Sequence, residues 1–374
     1  MKIGILTFWW SEDNYGQILQ CYALQKYLKD KGHEAYLIRY DPKYDYNETP
    51  LFQKLLKALN PKKLILYFIN KMQYKMASYE QKKYNRGFSR FRDKYLTLST
   101  FYNSYKELKE NPPDADVYIV GSDQVWNFNS CNINKVINLV NAYFLNFGDK
   151  NIKRISYAAS WSRRDIPNDQ RREIQKLLNN FNYISVREKD GIKICQSCGV
   201  SAEWVPDPTL LLQPDSYREL YKNEEIDIKA SEKYLFLYLL NNKAKHSIKN
   251  IKKWAKSKNL RIIYVTGNNK IDKEEKYYPT IPNWLYLIDN AEYIITNSYH
   301  ACIFSIMFDK KFAAIKLNDN FEGMNTRFES LWELFDLPSR YLDSDFKVLE
   351  EEPIKINREK ILKNIYTFEK MISE

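Results

Sequence analysis

The stretch Glu292-Tyr-Ile-Ile-Thr296, then Asn297-Ser298-Tyr299, then His300-Ala-Cys-Ile-Phe-Ser-Ile-Met-Phe308 decides the architecture. The short apolar run reads as a buried strand, the polar residues as a turn, and the longer apolar run as a helix. A strand that feeds directly into a helix is the unit of a parallel α/β sheet. Such sheets take ligands at the carboxyl ends of their strands, where helix N-termini present unpaired backbone N–H groups to anions. His300 stands at that point. It is one of three histidines in the chain, and an imidazole there can gain or lose a proton near neutral pH. His33, after Lys31-Gly32, and His246, on a lysine-rich helix face, read as ordinary turn and surface residues.

Outward from this unit, short apolar runs alternate with longer amphipathic ones, the pattern of α/β folds. Strands are expected at Lys2–Phe8, Glu34–Arg39, Asp116–Val120, Arg154–Ala158, Tyr183–Arg187 and Ala202–Val205. A second series follows at Lys233–Leu240, Arg261–Thr266, Glu292–Thr296 and Phe312–Lys316. Helices are expected between them, among them Gln17–Lys31 and Thr326–Phe335. The reading is two doubly wound domains facing across a cleft: residues 1–212, with a basic helical insertion at about 45–100, and residues 232–350. The polar stretch 213–231 serves as linker, and 351–374 form a last helix packing back on the first domain. With 374 residues, two ordinary cores can be buried.

Composition narrows the classes. Hydrophobic residues make up 44% and charged residues 28%, as in a soluble globular protein, and 30 tyrosines make the chain unusually aromatic. No apolar run reaches the ~18–20 residues of a membrane-spanning helix. A strand beginning at Lys2 leaves no room for a signal peptide, so a cytoplasmic protein is expected. Five cysteines argue against a disulfide framework, and Cys195-Gln-Ser-Cys198 lacks the second pair or histidine that a zinc site needs. No metal or cofactor is expected. The net charge of +11 is concentrated: residues 51–96 carry twelve Lys or Arg against only Glu80 and Asp93. That segment reads as a helical excursion with a solvated basic face, or as an arm that contacts anionic lipid or a lipid-linked acceptor at the inner face of the membrane. No nucleic-acid-binding module accompanies the charge, and nucleic acid is not expected as a partner.

Three loops fall at strand ends on the cleft. They are Trp9-Trp10-Ser11-Glu12-Asp13-Asn14-Tyr15-Gly16, Gly121-Ser122-Asp123-Gln124-Val125-Trp126-Asn127, and Thr296-Asn297-Ser298-Tyr299-His300. Asp, Asn and Gln supply directional hydrogen bonds and an indole supplies a flat apolar face, the needs of a sugar-binding wall. Asp13, Asn14, Asp123 and Trp126 are the acceptor-side candidates. Each loop taken singly also fits ordinary capping and turn chemistry.

Taken in order, the set resembles the polysaccharide pyruvyl transferase family. The residues that carry the resemblance are Asn14-Tyr-Gly-x-x-Leu-Gln-x-Tyr-Ala-Leu-Gln25, Gly121-Ser-Asp-Gln-Val-Trp-Asn127, Ser156-Tyr-Ala-Ala-Ser160, Ser185-Val-Arg-Glu188, Asp207-Pro-Thr-Leu-Leu211, and Asn297-Ser-Tyr-His300 through Phe308. The resemblance runs from about Ile3 to Phe335 and is weakest near 45–100. It implies a GT-B-like fold of two Rossmann-like domains, with phosphoenolpyruvate as donor and a sugar diol of a surface polysaccharide as acceptor, joined to pyruvate as a cyclic ketal. It places His300 at the donor as the catalytic residue. Arg187 and Lys316 become donor-binding, with Ser298 and Tyr299 beside them. Relatives often carry an arginine two residues before the histidine where this chain has Ser298, so Arg187, Lys316 and the helix N-terminus must carry more of the donor's charge. Arg187 can also serve an ion pair with Glu188 or Asp190, Lys316 can simply flank a strand, and Asp207 can simply fix the turn before its proline. Two other readings remain: a nucleotide-sugar glycosyltransferase of the same architecture, and a non-catalytic glycan-binding protein that kept the fold.

Overall fold

Apolar runs with hardly a polar break, such as Ile3-Gly-Ile-Leu6, Val117-Tyr-Ile-Val120 and Tyr234-Leu-Phe-Leu-Tyr-Leu-Leu240, are strands covered on both faces, as parallel sheets require. The computed structural model builds two such sheets. It describes residues 1–45, 72, 75, 79, 84–128, 133–226, 233–241, 247–269, 272–317, 319–354 and 358–373. The basic segment at 51–96 falls mostly outside the described residues, as do Cys131 and His246. Among the described residues, no helix is long and apolar enough to cross a membrane.

The first sheet holds β1 (Lys2–Leu6), β2 (Glu34–Tyr40), β3 (Leu98–Tyr102), β4 (Val117–Val120), β5 (Lys153–Ala159), β6 (Tyr183–Val186) and β7 (Glu203–Trp204), in the order β3-β2-β1-β4-β5-β6-β7. Every pairing is parallel. The second holds β8 (Tyr234–Asn241), β9 (Arg261–Asn269), β10 (Tyr293–Thr296) and β11 (Lys311–Ala314), in the order β11-β10-β8-β9, again parallel. Strand order reverses between β1 and β4 in one sheet and between β8 and β10 in the other. At such switch points adjacent connections leave the sheet on opposite faces and open a crevice at the strand ends. The loops after β1, β4 and β10 are the three that the sequence singled out.

All ten expected strands are present, with ends shifted by a few residues. The eleventh, β3, was not expected. Its residues Leu-Ser-Thr-Phe-Tyr are half polar because it is an edge strand of the first sheet. The stretch read as a linker is partly helical (Pro214–Tyr221) and docked: Arg218 grips Asp289 with Nε at 2.8 Å and Nη2 at 3.1 Å. The C-terminal helix Arg358–Ser373 lies on the first sheet's side, with Phe368 4.1 Å from Tyr157, ring to ring, and Glu369 paired with Lys31.

Tyr15 is one of the residues that join the two sheets, and other buried tyrosines tie elements within them. Tyr15 stacks on Trp284 at 5.1 Å, with its hydroxyl donating 2.7 Å to the Pro279 carbonyl. Tyr217 and Tyr234 each bury their rings and donate 2.8 Å to the carbonyls of Thr209 and Leu287. A buried tyrosine contributes apolar area only when its hydroxyl keeps a partner, and these do.

Candidate active site

The β10 unit sets His300 in place. Asn297 ends the strand and accepts 2.8 Å from the Leu240 amide of β8, tying the loop across the switch point. Ser298 caps the helix Tyr299–Met307, its hydroxyl accepting from the Ala301 amide at 3.4 Å. The helix behind it is buried all round, so it cannot rotate, and His300 in its first turn is 5% exposed. From the first sheet, Gly16 in the helix Tyr15–Asp30 meets the imidazole directly: a Cβ there would stand 2.3 Å from His300 Cγ.

Beneath the histidine lies a buried charge cluster. Asp207 caps the turn Pro208–Leu211, with Oδ1 accepting from the Thr209 amide at 3.0 Å and hydroxyl at 2.7 Å. Its Oδ2 faces three groups: Arg187 Nη1 at 2.7 Å, Ser122 Oγ at 3.2 Å and His300 Nε2 at 3.3 Å. Burial raises the carboxyl's pKa, but His300, Arg187 and the Thr209 amide together hold it well below the usual carboxylate range. Asp207 therefore does more than fix a turn; it is an ionised anchor for both the imidazole and the guanidinium. Arg187, at the end of β6, is 1% exposed and also stands 3.7 Å from Asp123, with its guanidinium 4.7 Å from the Tyr299 ring centroid. Burial lowers its pKa, but Asp207, Tyr299, Asp123 and Glu188 outweigh that and hold it charged.

Above the cluster is a cavity of about 660 Å³. His300, Ser298, Tyr299, Asp13, Asn14 and Asp123 all line it, so six expected residues from three separate loops converge. Asp123 reaches it through a left-handed backbone (φ 72°), after Gly121, where a Cβ would strike the Tyr157 carbonyl at 2.3 Å. Arg187 lies behind this lining rather than in it, and its partners are Asp207 and Asp123, not Glu188 or Asp190.

Two expectations are corrected. Trp126 is fully buried, with its indole N–H donating 3.0 Å to the Tyr143 carbonyl and its ring stacked on Phe144 at 5.1 Å; it is core, and offers no face to a sugar. Lys316 is exposed and lines a separate depression beside Trp332 and Tyr341, 5.5 Å over the Tyr341 ring. It points out of the β11 end onto another surface, away from His300's cavity.

Trp10 and Asn297, from the first and third expected loops, line that cavity too, while Gln17 and Arg327 were not anticipated. Arg327 left a signal. With Leu331 and Leu334 it falls at i, i+4, i+7 of the helix Thr326–Leu334, a cation on the apolar stripe. Cys195 and Cys198 are buried free thiols, and burial pushes the Cys195 thiol up to about 12.

The family model for polysaccharide pyruvyl transferases matches residues 14–319, a span that holds His300, Asp207, Arg187 and Asp123. The chain belongs to the polysaccharide pyruvyl transferase family. It is a transferase. No curated protein matches it. Among solved structures it is similar to a UDP-N-acetylglucosamine 2-epimerase from Rickettsia bellii, 10% identical, covering 100% of this chain and 96% of that one with a TM-score of 0.54. It is also similar to the UDP-GlcNAc 2-epimerase of Methanocaldococcus jannaschii, 15% identical over 98% of this chain and 100% of that one, TM-score 0.47. The fold of this family member is GT-B-like, with two parallel α/β sheets.

Proposed function

We propose that this family member transfers pyruvate from phosphoenolpyruvate to two hydroxyls of a sugar, forming a cyclic ketal in surface polysaccharide synthesis. The observation that carries the reading is the His300–Asp207 pair, 3.3 Å apart, on the wall of the large polar cavity. The chemistry needs a proton delivered to the methylene carbon of the enol. The first sugar hydroxyl then adds to the neighbouring carbon and gives up its proton. The second hydroxyl then attacks the same carbon as the bond from that carbon to the phosphate oxygen breaks, its proton leaves with the phosphate, and the ring closes. A histidine facing an ionised, buried carboxylate can supply the first proton and regain one from a hydroxyl. Asp13, Asn14 and Asp123 face the same space and suit the acceptor's hydroxyls.

The test is a donor screen by thermal shift followed by mass spectrometry of sugar acceptors. Phosphoenolpyruvate is expected to raise Tm and to leave a pyruvate ketal on a diol acceptor. A rise with a UDP-sugar and none with phosphoenolpyruvate would turn the assignment toward glycosyl transfer.

A further inference from the structure

Arg327 differs from Arg92, Arg154, Arg187 and Arg340, which are buried too. Arg92 donates 2.8 Å to the Ser11 carbonyl and pairs with Glu12. Arg154 donates to the carbonyls of Leu145, Ile152 and Phe147. Arg187 pairs with Asp207, and Arg340 with Glu351. Arg327 is 6% exposed, yet its one hydrogen bond among the described residues is Nε to the Met324 carbonyl at 3.2 Å. A guanidinium carries five N–H donors, so most of this one's are unused. Among the described residues no carboxylate forms an ion pair with it, and Asp123 and Glu188 act on it only from a distance. Its guanidinium stands 5.7 Å from the centroid of the Tyr299 ring, which also lies 4.7 Å from Arg187.

A buried cation without a carboxylate partner is costly, because desolvation is not offset by an ion pair. Here the cost is compounded by Arg187 nearby. Burial first, and that second guanidinium next, push the Arg327 pKa down to about 10. The side chain stays protonated at neutral pH and faces the cavity that His300, Ser298 and Asn297 line. An incoming anion would supply the missing partner, and a planar guanidinium can hold a carboxylate or phosphate through two parallel bonds. Arg327 also lies past residues 14–319, outside the span that the family model matches.

We propose that Arg327 is the donor-binding cation of this cavity, holding the phosphate or the carboxylate of the donor beside His300. This rests on the reading of the chain as a pyruvyl transferase that uses phosphoenolpyruvate. It assigns the role expected of Lys316 to a residue eleven positions further on, in the helix Thr326–Leu334 rather than at the end of β11.

The test is titration calorimetry of the full chain with phosphoenolpyruvate, inorganic phosphate and pyruvate, on wild type, Arg327→Gln, Arg327→Lys and His300→Ala. Arg327→Gln should weaken phosphoenolpyruvate binding about ten- to a hundredfold, the worth of a charge-assisted pair, and raise KM with kcat at saturating donor nearly kept. Arg327→Lys, which keeps a cation and loses the fork, should fall between the two and carries the test if the glutamine variant does not fold. His300→Ala should bind donor as wild type does. Phosphate or pyruvate should compete with the donor in wild type, and the one whose competition is lost in Arg327→Gln names the end of the donor that the arginine holds. Donor affinity in both arginine variants within about threefold of wild type overturns the inference and leaves the proposed function standing, since a full pair is worth more than that. No uptake of phosphoenolpyruvate by wild type overturns both.

Discussion

Gly16 and His300 touch across the two sheets so closely that an added Cβ would stand 2.4 Å from the imidazole Nδ1. The glycine's backbone is ordinary helix, so it is there for space. Gly→Ala inside a helix normally stabilises by about 0.5–1 kcal/mol. Gly16→Ala is expected to do the opposite, losing about 1–3 kcal/mol to overpacking. Displacing the ring from Asp207 should also lower kcat. A melting temperature above wild type with full activity would contradict this packing.

Asp207→Asn should be among the most damaging substitutions. It leaves Arg187 buried without its carboxylate, a loss of about 3–5 kcal/mol at neutral pH. The sign with pH follows from linkage. The folded-state pKa is depressed below 3.8, so the ionised carboxylate stabilises the fold above that value and the contribution fades as pH falls beneath it. Urea unfolding of both proteins should show a gap that is widest above pH ~4 and narrows in acid. A gap that does not change with pH would contradict the ionised anchor.

Trp126 separates core from site. Trp126→Ala should cost about 3–5 kcal/mol through the cavity it leaves. Trp126→Phe keeps most of the stacking on Phe144 but loses the bond to the Tyr143 carbonyl. It should be milder, with KM for the acceptor unchanged. A raised acceptor KM in a stably folded Trp126→Phe would return the indole to the sugar wall.

Most of the architecture was readable because parallel strands buried on both faces print as unbroken apolar runs, and Thr296-Asn-Ser-Tyr-His300 prints the switch from strand to helix. Convergence of the three loops was readable too, since each follows a strand at a switch point. What one dimension hides is direction. Trp126 and Asp123 share a loop, yet the left-handed turn at Asp123 sends one side chain to the cavity and the indole to the core. Lys316 follows β11 as expected but faces another surface. Arg187 was placed at the right strand end, while its partner Asp207, twenty residues on, could not be paired with it from spacing. Arg327 was visible only as a charge on an apolar stripe, a signal that gains meaning once the cavity is known.

The most direct measurement is single-turnover transfer from phosphoenolpyruvate to a sugar diol by wild type and His300→Ala, with donor binding followed in parallel. Wild type is expected to form the ketal, and His300→Ala to bind donor normally while transferring roughly 10²–10⁴-fold more slowly. Transfer at the wild-type rate without the imidazole would contradict the account.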